Sequence, residues 1–107
     1  MNIKDRDVYR IHAEICQALT HPVRLEIIDH LRSGEKTVGS LVEDMGMPQS
    51  TISRHLRLMR QKGVVRTRRE GANVYYQLSN EKIVRAYDLI HQFVLEHYNE
   101  QLTLFAA

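Results

Sequence analysis

Apolar residues recur along this chain mostly three and four positions apart, the signature of one buried helix face. Val8, Ile11, Ile15, Ala18 and Leu19 set this rhythm first and predict a helix over residues 5–19. Thr20 can cap a second helix, with Pro22 in its first turn, where a missing N–H does no harm. Val23, Ile27, Ile28 and Leu31 give that helix its inward stripe, and Gly34 stops it. A third follows from Thr37, with Val38, Leu41, Val42 and Met45 on one face and Gly46 at its end. Pro48 opens a fourth, which runs to about Gly63. Only Gly46 and Met47 separate the third from the fourth. So tight a joint predicts two helices crossing steeply, a helix-turn-helix.

The rhythm then changes. Val64 and Val65 begin a β-branched run, VVRTRRE, Gly71-Ala72-Asn73 reverses the chain, and VYYQLS follows. This predicts a two-stranded hairpin over 64–79 in which Tyr75 and Tyr76 face opposite ways, one of them onto the core. Ser79 can cap a last helix over 80–100. The expected class is mainly α with a small β-hairpin wing, in the order four helices, two strands, fifth helix. No linker, repeat or low-complexity run interrupts residues 1–107, which are expected to form a single domain.

With 107 residues the chain can build one modest core. Domains of this size bury roughly 60–70% of their unfolded surface, so a partner chain would help. No segment approaches the ~18 apolar residues of a membrane helix, and MNIKDRDVYR lacks the apolar core of a signal peptide. Cys16 is the single cysteine, which excludes an intrachain disulfide and fits a reducing compartment. A cytoplasmic location is the expectation. The net charge of +2 says little, but its distribution says more. Arg54, Arg57, Arg60, Lys62, Arg66, Arg68 and Arg69 crowd into residues 48–71 with only Glu70 against them, and the flanking stretches carry a slight acidic excess. A local positive cluster is the electrostatic footprint of phosphate binding.

On a helical wheel of residues 49–63, Ile52, Leu56 and Met59 share a narrow inward arc, while Ser50, Ser53, Arg54, Arg57 and Gln61 lie opposite. Serine is a mediocre helix former, so two of them gain nothing on a face that meets only solvent. A DNA major groove admits one helix and meets its N-terminal residues. Small residues there let the backbone approach. Gln49 suits adenine and Arg54 guanine, each as a bidentate partner, and Arg57 is better placed for phosphate. Arg66, Arg68 and Arg69 flank a small hairpin tip that suits the DNA backbone or minor groove.

Three stretches, 18-ALTHPVRLEIIDHL-31, 37-TVGSLVEDMGMPQSTISRHLRLMRQKGVV-65 and 70-EGANVYYQL-78, resemble the ArsR/SmtB winged helix-turn-helix repressors of bacteria and archaea. The combination of HPxRL, QSTxSxHL, KGVV and GxxVYY covers nearly all the chain except its ends and is far more specific than a bare helix-turn-helix pattern. The resemblance implies a homodimer on an imperfect palindrome near its own promoter, with the third and fourth helices as reader. It implies DNA contacts at Gln49, Ser50, Ser53 and Arg54, with Thr51 among them. His55 either meets a phosphate or packs beside the core stripe. Arg57, Arg66, Arg68 and Arg69 complete the expected DNA-binding set.

The last helix argues separately for a dimer. Ile83, Tyr87, Ile90, Val94 and Gln101 fall on one line, and Val84, His91, Leu95, Tyr98 and Leu102 on a second beside it. Their arc exceeds the ~100° that a single core contact needs. The first helix is also broadly apolar. A two-fold dimer through the first and fifth helices would bury both faces and set two reading helices about 34 Å apart.

Members of the family it resembles often sense a metal or react through thiols. The Cys-x-Cys pair of one such site is missing from TVGSLVED. Of the helix-five pattern, 97-HYNE-100 matches the second half, but Val84 and Ala86 stand where the first half would be. A closed zinc site needs four tetrahedral ligands. His12 and Cys16, one turn apart, could join His91, His97 or Glu100 in an interfacial metal site, and Cys16 is also the redox candidate. The alternative is an inert buried cysteine. No cofactor is expected.

Enzyme chemistry finds no support, since the chain has no glycine-rich phosphate loop, activated nucleophile or recognisable carboxylate pair. The expectation is a sequence-specific DNA-binding regulator, a dimeric repressor released by an inducer. The alternatives are a constitutive regulator without metal or thiol sensing and a winged-helix protein-interaction module.

Overall fold

The computed structural model describes residues 5–106, with side chains to residue 101. The elements are α1 (Asp5–Gln17), α2 (Pro22–Leu31), β1 (Lys36–Thr37), α3 (Val38–Met45), α4 (Gln49–Gln61), β2 (Val65–Glu70), β3 (Asn73–Leu78) and α5 (Glu81–Ala106). The five expected helices and the hairpin are present, and one strand is added. Lys36 and Thr37 pair antiparallel with Tyr76 and Tyr75, giving a three-stranded sheet in the order β1-β3-β2. Two residues are too few to carry a period of two, so β1 left no pattern in the sequence.

Local chemistry sets most boundaries. Thr37 caps α3 by accepting the N–H of Ser40, as expected. Gly46 closes α3 at φ 64°, where its N–H reaches the carbonyl of Val42 and a side chain would be strained. Gly71 has φ 61° and Ala72 does not, the arrangement of a tight two-residue hairpin turn that matches the twist of β2 and β3. Two caps differ from expectation. His21, not Thr20, caps α2, its Nδ1 accepting the N–H of Val23, while the Thr20 hydroxyl donates to the carbonyl of Gln17. Asn80, not Ser79, receives the N–H of Lys82 at the start of α5, and Ser79 donates to the carbonyls of Gly63 and Val64.

The core is made by α2, α3, α4 and the sheet. Ile27, Ile28, Leu31, Leu41, Ile52, Leu56, Met59, Val64 and Val65 are buried, joined by Ala18 just past the end of α1. Tyr76, on the same sheet face as Val65 and Leu78, is the tyrosine that packs inward. Among the described residues of α5, Ile83 and Tyr87 join this cluster. Arg32 clamps the end of α2 to α5 through both carboxylate oxygens of Asp88 at 2.7 and 3.2 Å, and it lies over the ring of Tyr87.

Most of the other described residues of α1 and α5 are exposed. Helix α1 buries no residue. Leu89, Ile90, Phe93, Val94, Leu95 and Tyr98 of α5 are all exposed, Phe93 at 64%. Leu102, expected on the same line, has a side chain outside the described residues. Among the described residues no helix is long and apolar enough to cross a membrane.

Candidate nucleic-acid interface

Helix α4 divides cleanly into two faces. Ile52, Leu56 and Met59 are sealed inward, each with no exposed surface. Gln49, Ser50, Arg54, Arg57, Arg60 and Gln61 are exposed, and Thr51 and Ser53 are half-buried beside them. Among the described residues, no carboxylate forms an ion pair with Arg54, Arg57 or Arg60. Pro48 precedes the helix, and no side chain caps its start. The amides of its first turn are therefore aimed off the end with a partial positive charge, suited to an anion.

His55 departs from this face. It is 5% exposed, which favours the packed reading over a phosphate contact. It lies toward the half of the wheel that α2 covers, and the guanidinium of Arg24 meets its Nδ1 at 3.2 Å. The ring of His21 lies 4.4 Å away, centroid to centroid. An arginine only donates, so Nδ1 must accept and the proton sits on Nε2. Among the described residues that buried Nε2 has no hydrogen-bond partner. Such an orphaned donor costs about 1–3 kcal/mol. Burial first, then His21, Arg24 and Arg54, push the histidine's pKa below its ordinary 6.5 and keep it neutral.

The hairpin sorts its arginines by use. Arg66 and Arg69 are exposed, and neither enters an ion pair among the described residues. Arg68 is occupied. Its guanidinium holds both carboxylate oxygens of Glu35, bonds Glu70 at 2.7 Å and lies over the ring of Tyr75 at 4.7 Å. Arg68 in turn holds the Glu35 carboxyl below the usual carboxylate range. Glu35 lies 33 positions earlier in the chain, and the sequence carried no signal that it would meet Arg68.

The expected metal candidates meet only in part. His12, Cys16 and His91 line one groove of about 990 Å³ between α1, α2 and α5, together with Leu25, Ile90 and Val94. His97 and Glu100 lie outside it. His97 stacks on Phe93 and approaches Gln101 at 3.1 Å. Among the described residues no three His, Cys, Asp or Glu side chains converge well enough to hold an ion. The thiol of Cys16 is exposed, not buried. Asp88 is committed to Arg32, whose hydrogen bonds lower its pKa.

Two helices joined through Gly46–Pro48, the second with a polar outer face, followed by a basic hairpin, make the winged helix-turn-helix of a transcriptional regulator. The comparisons with known proteins agree. The model of the family described as "Bacterial regulatory protein, arsR family" matches residues 21–67. The biofilm growth-associated repressor of Xylella fastidiosa is 34% identical over 79 residues, spanning 74% of this chain and 69% of that one. The solution structure of a homodimeric winged helix-turn-helix DNA-binding domain from Mycobacterium bovis superposes with a TM-score of 0.80 at 31% identity. That match covers 92% of this chain and 94% of the other. NolR from Sinorhizobium fredii superposes at 0.75 with 28% identity, over 87% of this chain and 95% of its own. The chain belongs to the ArsR family of bacterial regulatory proteins.

Proposed function

We propose that residues 1–107 act as one unit, a homodimeric repressor that binds an imperfect palindrome in duplex DNA from the cytoplasm. The observation that carries this reading is the outer face of α4. It is polar, arginine-rich and, among the described residues, free of ion pairs, while the opposite face is fixed in the core. Gln49, Ser50, Thr51, Ser53 and Arg54 enter the major groove and read base edges, and Arg57 takes a phosphate. Arg66 and Arg69 lie along the backbone or minor groove and supply salt-dependent affinity. Arg68 serves the wing's rigidity first and meets phosphate only by leaving Glu35 and Glu70.

The dimer is supported by α1 and the outer part of α5, where Val8, Tyr9, Ile11, Ile15, Leu89, Ile90, Phe93, Val94, Leu95 and Tyr98 stay exposed among the described residues. Joining them across a two-fold axis would set the two α4 helices about one DNA turn, roughly 34 Å, apart. Duplexes enriched from a random pool by the wild-type protein test the reading. Arg54→Ala should relax the preference at one base pair of each half-site and cost about 1–3 kcal/mol in competition assays. Unchanged selectivity would remove Arg54 from base reading, and failure to enrich any duplex would overturn the DNA-binding proposal.

A further inference from the structure

One side chain ties three helices together. Arg24 of α2 donates through Nε to the carbonyl of Ala18 at 2.7 Å and through Nη2 to the carbonyl of Gln17 at 2.9 Å. Its Nη1 reaches Nδ1 of His55, midway along α4, at 3.2 Å. The two carbonyls belong to the C-terminal end of α1 and the residue after it, where a cation also suits the helix dipole.

This is a poor choice for stability alone. The histidine sits in a desolvated site against a cation, and its Nε2 proton has no protein acceptor. An apolar side chain of similar size would pack there without either penalty. What the arrangement does supply is directional contact. Helix α1 buries none of its own residues, so these two hydrogen bonds join the packing of Ala18 and Leu19 in fixing its end to the subunit. On the other side of the guanidinium, His55 adjoins Arg54, whose side chain lies on the exposed face of α4.

We propose that Arg24 and His55 form a positioning joint through which the seating of α1 against a second copy of the chain sets the pose of the reading helix α4. The inference rests on the dimeric DNA-binding reading above. The joint fixes not how strongly the protein holds phosphate but which separation of half-sites it accepts.

The test uses the full chain and the duplexes enriched by wild type, with half-site spacing changed by one base pair in either direction. His55→Leu removes the acceptor and fills the space. It should keep the dimer and bind a scrambled duplex within twofold of wild type. It should bind the enriched duplex at least tenfold more weakly and lose the wild type's discrimination between spacings. His55→Gln, which still offers Arg24 an acceptor, should recover most of that discrimination. A pH series supplies a second readout. The charged and titratable groups facing His55 are His21 and Arg24 from α2 and its cap, and Arg54 from α4 itself. Because burial and the neighbouring cations hold the His55 pKa below its ordinary 6.5, the series must run well under that value; protonation of Nδ1 there expels Arg24, so spacing discrimination should fall in wild type and stay flat in His55→Leu.

Wild-type spacing discrimination in His55→Leu would overturn the joint, as would equal losses on enriched and scrambled duplexes. Should His55→Leu fail to fold, Arg24→Gln is judged by the same ratio. A wild-type protein that enriches no duplex overturns the joint together with the reading beneath it.

Discussion

Helices α1 and α4 have the same length, 13 residues, and both segregate apolar from polar residues. Their fates differ. Helix α4 buries Ile52, His55, Leu56 and Met59, whereas α1 buries nothing and leaves Val8, Tyr9, Ile11 and Ile15 exposed, Tyr9 at 72%. Amphipathicity therefore says that a face needs cover but not what covers it. For α4 the cover is α2, α3 and the sheet. For α1 and the outer half of α5 no cover is found among the described residues, and the proposed second copy would supply it. An isolated helix of about a dozen residues is marginal in water, so the proposed second copy would also stabilise α1.

The contrast can be broken at three points. The largest effect belongs to the core. Leu56→Ala should lower the unfolding free energy by about 2–5 kcal/mol, as cavity formation at a fully buried leucine does. Ile11→Ala on α1 should barely change the unfolding of the isolated subunit, and denaturant titration at low protein concentration compares the two. Equal losses would mean that α1 is part of the intrachain core after all. Next comes the outer half of α5. Ile90→Asp puts a carboxylate on the exposed apolar face and should weaken self-association about a hundredfold, roughly 2.7 kcal/mol. Sedimentation reads this directly, and an unchanged mass would place the dimer contact elsewhere.

The smallest effect separates the wing arginines. Arg66→Ala should reduce the slope of log binding constant against log salt by about 0.9 for each phosphate that is no longer neutralised. Arg68→Ala should leave the slope nearly unchanged and soften the wing, because Glu35 and Glu70 already hold that guanidinium. A slope change at Arg68 as large as that at Arg66 would show that DNA displaces both carboxylates.

Much of the candidate interface was legible because its signals are local. The inward stripe of α4 and the exposed Ser50 and Arg54 follow from a period of 3.6, and Gly46 and Pro48 punctuate the joint. The failures have one cause. His55 lies at the edge of the inward stripe, and only the approach of Arg24 and His21 from α2 decided that it would be covered. Arg68 looked like its neighbours Arg66 and Arg69 until β1 brought Glu35 beside it. The groove between α1, α2 and α5 likewise gathers His12, Cys16 and His91 from opposite ends of the chain, and among the described residues they do not close into a ligand set.

By itself, then, the amino-acid order determined the helices, the hairpin, the inward stripe and the arginine-rich outer face, since each depends on residues within a turn or two of one another. Tertiary structure decided which polar groups were already spoken for: His55 by Arg24, Arg68 by Glu35 and Asp88 by Arg32. Hydrogen bonds and ion pairs act over a few ångströms of space, and distance along the chain does not report that separation.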